Sequence, residues 1–130
     1  FRDAMDEAGM RVVTEQAADW EQAKAATVAA AILNAHPKLD ALLCANDSMA
    51  LGAVAAVRQA GRRGEVAVVG FDNISAARDL IAMGDMLATA EQHGDQLAVF
   101  GIEYALEVLD TGAAPEDRRT PVDVVTASEL

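Results

Sequence analysis

At 130 residues the chain can bury one hydrophobic core but is short for two independent domains, and its 52% hydrophobic and 24% charged composition excludes disordered and collagen-like classes. A formal net charge of −11, with no basic cluster beyond the pairs Arg62-Arg63 and Arg118-Arg119, excludes nucleic acid as a partner, because neutralising phosphates requires clustered Lys and Arg. The lone Cys44, set in an apolar run, excludes an internal disulfide and a thiolate metal site, and no segment reaches the roughly 18 consecutive apolar residues of a membrane span.

In chain order, Phe1 to Ala8 has helical spacing and Gly9 is its natural left-handed stop. This opening is amphipathic and lacks the basic start and apolar middle of a secretory signal. Met10 to Thr14, β-branched and apolar, predicts a strand that empties into the polar run Glu15 to Trp20, with Asp19 as an N-cap for an Ala-rich helix from Glu21 to Asn34. His36-Pro37 closes that helix, since a residue before proline is biased away from the α region. Ala41 to Ala45 is apolar on both faces, as expected of a strand covered on each side. Asn46-Asp47-Ser48 supplies cap chemistry for a helix through Ala60, stopped by Gly61. Glu65 to Phe71 is the next strand, followed by a helix from Ile74 to Met83 that ends at Gly84. Met86 to Ala90 predicts a short strand, Asp95 to Leu109 a helix stopped near Gly112, and Val122 to Thr126 a last strand after the loop Pro115 to Pro121. Strands alternating with helices, few aromatics and abundant Ala and Val predict an α/β fold, a three-layer parallel sheet with helices on both faces.

Three strands end in polar tips, Asn46, Asp72 and Gln92. In open parallel sheets the strand carboxyl ends share one edge, and ligands bind in the crevice outside it. Enzyme chemistry lacks a constellation there: no Gly-rich phosphate loop follows a strand, His36 and His93 are the only histidines, and no serine sits in a nucleophile elbow. The expectation is therefore a protein without cofactor, metal or turnover. Two amides and a carboxylate suit a neutral polyol, whose adjacent hydroxyls each donate and accept, and the charged acceptor Asp72 would be the anchor. Trp20, in the loop after the first strand, could stack on the apolar face of a sugar ring. Each tip also has a plainer role open to it: Asn46 as an N-cap, Asp72 as a turn residue, Gln92 as an exposed side chain.

The runs Ala45-Asn46-Asp47-Ser48-Met49-Ala50-Leu51-Gly52-Ala53, Val68-Val69-Gly70-Phe71-Asp72 and Gly84-Asp85-Met86-Leu87-Ala88-Thr89-Ala90-Glu91-Gln92 resemble, in order and spacing, the C-terminal half of periplasmic sugar-binding proteins of the ribose-binding type. The resemblance implies a type I periplasmic binding lobe that closes with a second lobe over a monosaccharide and delivers it, in the bacterial periplasm, to the membrane permease of an ABC importer and in some members to a chemoreceptor. It places sugar contacts on Asn46, Asp72 and Gln92, has Phe71 line the pocket and puts ring stacking on Trp20. It further implies that residues 1–92 form a C-terminal sugar-binding lobe whose first strand, with an arginine-bearing turn, would precede Phe1. Residues 93–130 are then a crossing near Gln92 whose helix and strand pack with an N-terminal lobe. Without that lobe the apolar face of Asp95 to Leu109, including Leu97, Val99, Phe100, Tyr104 and Leu106, would be left for dimerisation or another cover. A similar lobe serves sugar-responsive repressors like the lactose repressor, the alternative reading, but the stretch Ile81 to Thr89 resembles the transport branch.

Overall fold

The structure, a computed structural model, describes residues 2–130; the expected helix start at Phe1 lies outside them. Helix α1 (Arg2–Glu7) ends at Gly9, φ 68°, as its sequence predicts. Then come α2 (Gln22–Ala35), β1 (Ala41–Leu43), α3 (Asp47–Gln59), β2 (Ala67–Phe71), α4 (Ser75–Ala82), β3 (Ala88–Glu91), α5 (Gly94–Thr111) and β4 (Asp123–Val125). The sheet runs β1-β2-β3-β4, parallel through β3 and antiparallel at β4. The α/β class with a mainly parallel sheet is thus the one its alternating pattern predicts.

One core holds these elements together. Val68 in β2 is fully buried beneath Val54 and Val57 of α3, Ala29 and Leu33 of α2, Ile81 of α4, and Met86. The alternating side chains Ala67, Val69 and Phe71 point the other way and are only half-buried, and Leu43, expected to be covered, is 41% exposed. Helices α2, α3 and α4 therefore share the covered face, whereas neither α1 nor α5 buries a residue. Among the described residues no helix is long and apolar enough to cross a membrane.

One expectation fails because strands exist only through their neighbours. Met10 to Thr14 forms no strand: the outer edge of β1 carries no ladder partner among the described residues, and an isolated extended segment leaves its amides to water. The last strand joins the same sheet, β4 pairing with β3 through Thr89↔Val125, Ala90↔Val124 and Glu91↔Asp123. Only α5 and its flanking loop leave the sheet. Asp19 is also not the cap of α2; at φ 50° it takes an ion pair from Lys24, and Glu21 holds the N-cap position without a side-chain bond.

The closest helix contact explains a glycine. A Cβ at Gly52 of α3 would lie 2.2 Å from the Gln22 carbonyl oxygen and 2.8 Å from the Ala26 amide nitrogen of α2, both backbone atoms that cannot turn aside. At Gly101 of α5 an added Cβ meets nothing within 4 Å. Urea unfolding should therefore separate two chemically identical changes: Gly52→Ala destabilises by about 1–3 kcal/mol through overpacking, while Gly101→Ala stabilises α5 by about 0.5–1 kcal/mol through helix propensity. Equal effects would contradict the packing described.

Candidate functional site

Register aligns the strand tips before any side chain is considered. Leu43 sits opposite Val69 and Phe71 opposite Ala90, so the chain leaves β1 at Asn46 and β2 at Asp72 in one row, with Gln92 just past the end of β3. The first residue of α2, Gln22, lies against Gly52 in the second turn of α3, so the turn before α2 is on the side of the sheet where α3 begins.

Asn46 does serve as an N-cap: extended at φ −149°, it accepts from the Met49 amide through Oδ1 at 2.9 Å. The cap occupies the carbonyl end of its amide, and the NH2 end makes no hydrogen bond among the described residues. Asp72 and Gln92 meet directly, Gln92 Nε2 donating to Asp72 Oδ1 at 2.8 Å. Phe71, half-buried, ends β2 beside them. Trp20 is 65% exposed on a left-handed turn at φ 63°, at the same edge but with no hydrogen bond to the other four. Neither of the two recesses described, one beside α2 lined by Thr14, Gln16, Val28 and His36, the other on α5 around Asp95 and Phe100, includes any of the five residues. Among the described residues no three His, Cys, Asp or Glu side chains gather as a metal site.

Sequence reasoning missed what lies beneath that edge. Asp47, read only as cap chemistry, is fully buried; its Oδ1 accepts from the Thr89 hydroxyl at 2.8 Å and its Oδ2 from the Ile74 amide at 2.9 Å. Burial pushes its carboxyl above the usual aspartate value, against the pull of the Thr89 and backbone bonds. The available signal was Gly70, since a Cβ there would lie 2.0 Å from Asp47 Oδ1. The glycine makes room on β2 for a carboxylate.

Beyond Gln92 the edge is tied down by polar contacts. Glu91 accepts from Asn73 Nδ2 at 2.9 Å and from the His93 amide at 2.7 Å, and the Asn73 bond foremost holds its carboxyl below the ordinary value. Thr120 donates to the Gln92 carbonyl at 3.0 Å. His93, left-handed at φ 55°, places Nε2 2.7 Å from Asp123 Oδ2 on β4, and this bond raises its imidazole above 6.5.

Strand carboxyl ends in one row are the edge at which open α/β sheets generally bind ligands. The chain matches the family described as periplasmic binding protein domain over residues 1–114, and it belongs to that family. It is 54% identical to the D-ribose/D-allose-binding protein of Pseudomonas aeruginosa over 98% of this chain and 41% of that protein. An ABC transporter solute-binding protein from Burkholderia multivorans superposes with a TM-score of 0.89 at 50% identity, over 97% of this chain and 45% of that one. The D-allose-bound solute-binding protein of Actinobacillus succinogenes does so at 0.89 and 33% identity, over 98% and 46%. The chain spans less than half the length of each, and the fold it shares with them is that of type I periplasmic binding proteins.

The sign of the His93 contribution follows from its partner. Because the folded value is raised, the charged contact with Asp123 contributes fully below the free imidazole value of 6.5 and is lost as pH rises through the folded value. A proton NMR titration should place the His93 midpoint above 6.5, and Asp123→Asn should lower it. A midpoint indifferent to that substitution would remove the contact from the account.

Proposed function

We propose that this chain is the larger part of one lobe of a sugar-binding protein, which binds a monosaccharide in the bacterial periplasm and delivers it to the membrane permease of an ABC importer. The observation that carries the reading is the Asp72–Gln92 pair beside the free amide end of Asn46. Gln92 fixes one carboxylate oxygen of Asp72, which leaves the other oxygen, the side-chain Oε1 of Gln92 and the Asn46 NH2 group as two acceptors and a donor for neighbouring hydroxyls. Phe71 lines the site and Trp20 closes on the ring face. Binding without turnover is the whole task, and a chemoreceptor is a second partner for the closed form. The names of the relatives, a ribose/allose-binding protein and two transporter solute-binding proteins, support import over the effector domain of a repressor.

In this reading Gln92 marks a hinge, and α5 packs against an N-terminal lobe. Its exposed apolar side chains, Leu97, Val99, Ile102 and Leu106, would otherwise pair two copies of the chain. Phe100 and Tyr104 are less available, since Arg118 lies over both rings.

A thermal-shift panel of pentoses and hexoses on the complete polypeptide that carries this chain tests the function. At least one sugar should raise the melting temperature, because a ligand bound only by the folded state stabilises it. Asp72→Ala should lower affinity by about 10- to 100-fold, the worth of a hydrogen bond to a charged group. An unchanged shift in that variant removes Asp72 as the anchor. The 130-residue chain by itself should sediment as a dimer that Leu106→Glu dissociates. A monomer with α5 exposed would refute the pairing.

A further inference from the structure

We propose that Asp47 and Thr89, both buried and out of reach of any ligand, are positioning residues that hold the turn presenting Asp72. The inference rests on the reading of Asp72 as the sugar anchor. It starts from backbone strain: Asp72 at φ 113° and Asn73 at φ 55° are consecutive non-glycine residues with positive φ. Such backbone conformations are strained and persist where the surroundings over-determine them.

Three successive amides of this turn find fixed acceptors. Asp72 donates to the Ala90 carbonyl at 2.8 Å, Asn73 to Thr89 Oγ1 at 3.2 Å, and Ile74 to Asp47 Oδ2 at 2.9 Å. Only the first acceptor is sheet backbone. The other two belong to a single unit, because the Thr89 hydroxyl donates to Asp47 Oδ1 at 2.8 Å and so turns a lone pair toward Asn73. Asp47 is 0% and Thr89 1% exposed, so neither can touch a sugar. They act through the turn.

The chemistry also selects the residue types. Two donors, a hydroxyl and an amide, converge on the two oxygens of Asp47. An asparagine would turn an NH2 group against one of them. Valine at 89 keeps the shape of threonine but neither donates to Asp47 nor accepts from Asn73, whereas serine keeps both functions. In both variants Asp72 and Gln92 remain, so any loss of affinity comes from their placement.

The experiment uses the complete polypeptide, with D-ribose and D-allose as probes in calorimetric titrations. Thr89→Val should weaken binding at least tenfold, Thr89→Ser should stay within threefold of the parent, and Asp47→Asn should follow the valine variant. Val54→Ala, a core change remote from the edge, should lower thermal stability while leaving affinity intact. Parent-like affinity in Thr89→Val, or an equal loss in Val54→Ala, overturns the proposal. If the parent binds neither these two nor any other sugar of the pentose and hexose panel the functional reading fails, and positioning is then decided by the turn itself. Residual dipolar couplings and amide exchange at Asp72, Asn73 and Ile74 should change in Thr89→Val and not in Thr89→Ser. An unchanged turn overturns the proposal on its own. Should Thr89→Val fail to fold, Asp47→Asn is read by the same couplings.

Discussion

A carboxylate in the dry interior of a sheet sets the terms for its neighbours, and here Asp47 does so without a cation. Taking an ionised carboxylate out of water costs several kcal/mol even after relaxation. Two short hydrogen bonds, from Thr89 and from the Ile74 amide, offset that cost only while α3, β3 and the start of α4 keep their spacing. Gly70 and Ala50 must stay small, since a Cβ on Gly70 would strike Asp47 Oδ1, Met86 Cε and Ala50 Cβ together. Asn46, one residue earlier, anchors the same helix end to its own third amide. The cap, the buried acid and the strand glycine form one device.

The second well-shielded carboxylate is handled differently. Asp85, its side chain 1% exposed, receives Arg58 and Arg63, each at 2.5 Å, and the Arg58 bond foremost holds its carboxyl below the ordinary range. This cluster lies where α3 and α4 end and β3 begins, at the amino edge of the sheet, with Arg63 also donating to the Met83 carbonyl at 2.9 Å. The division has chemical sense. Cations tie the amino edge together, whereas Asp72 at the carboxyl edge bonds the Gln92 amide and has no cationic partner among the described residues.

Much of this was legible because it was local. Gly9, Gly61, Gly84 and Gly112 follow their helices with φ near 70°, as stop residues should, and the alternation in β2 is that of a strand with one buried face. The row of Asn46, Asp72 and Gln92 was legible too, since parallel topology puts strand carboxyl ends together whatever the side chains do. What escaped was nonlocal or ambiguous. Met10 to Thr14 has strand composition, but a strand needs a neighbour that composition cannot supply. Asn46, Asp47 and Ser48 are equally good caps on paper, and only Gly70, far along the chain, distinguishes the one that turns inward. Thr89 reads as a β-branched strand residue, and its hydroxyl gains meaning only opposite Asp47. The strain at Asp72 and Asn73 had no signal at all, because neither residue type demands positive φ.

The antiparallel seam between β3 and β4 has a mechanical consequence. The chain departs the sheet after Glu91 and returns at Asp123, and these two residues are direct ladder partners. Everything between them, α5 included, is therefore tethered at two points one strand spacing apart, about 5 Å. A body held at two adjacent points can neither slide along the sheet nor drift from it; its soft motion is rotation about the line joining the tethers. His93 and Thr120 grip that axle from its two ends, one bonding across to Asp123 and the other back to the Gln92 carbonyl. A rotation of α5 about that line would pivot beside Gln92, the side chain that bonds Asp72.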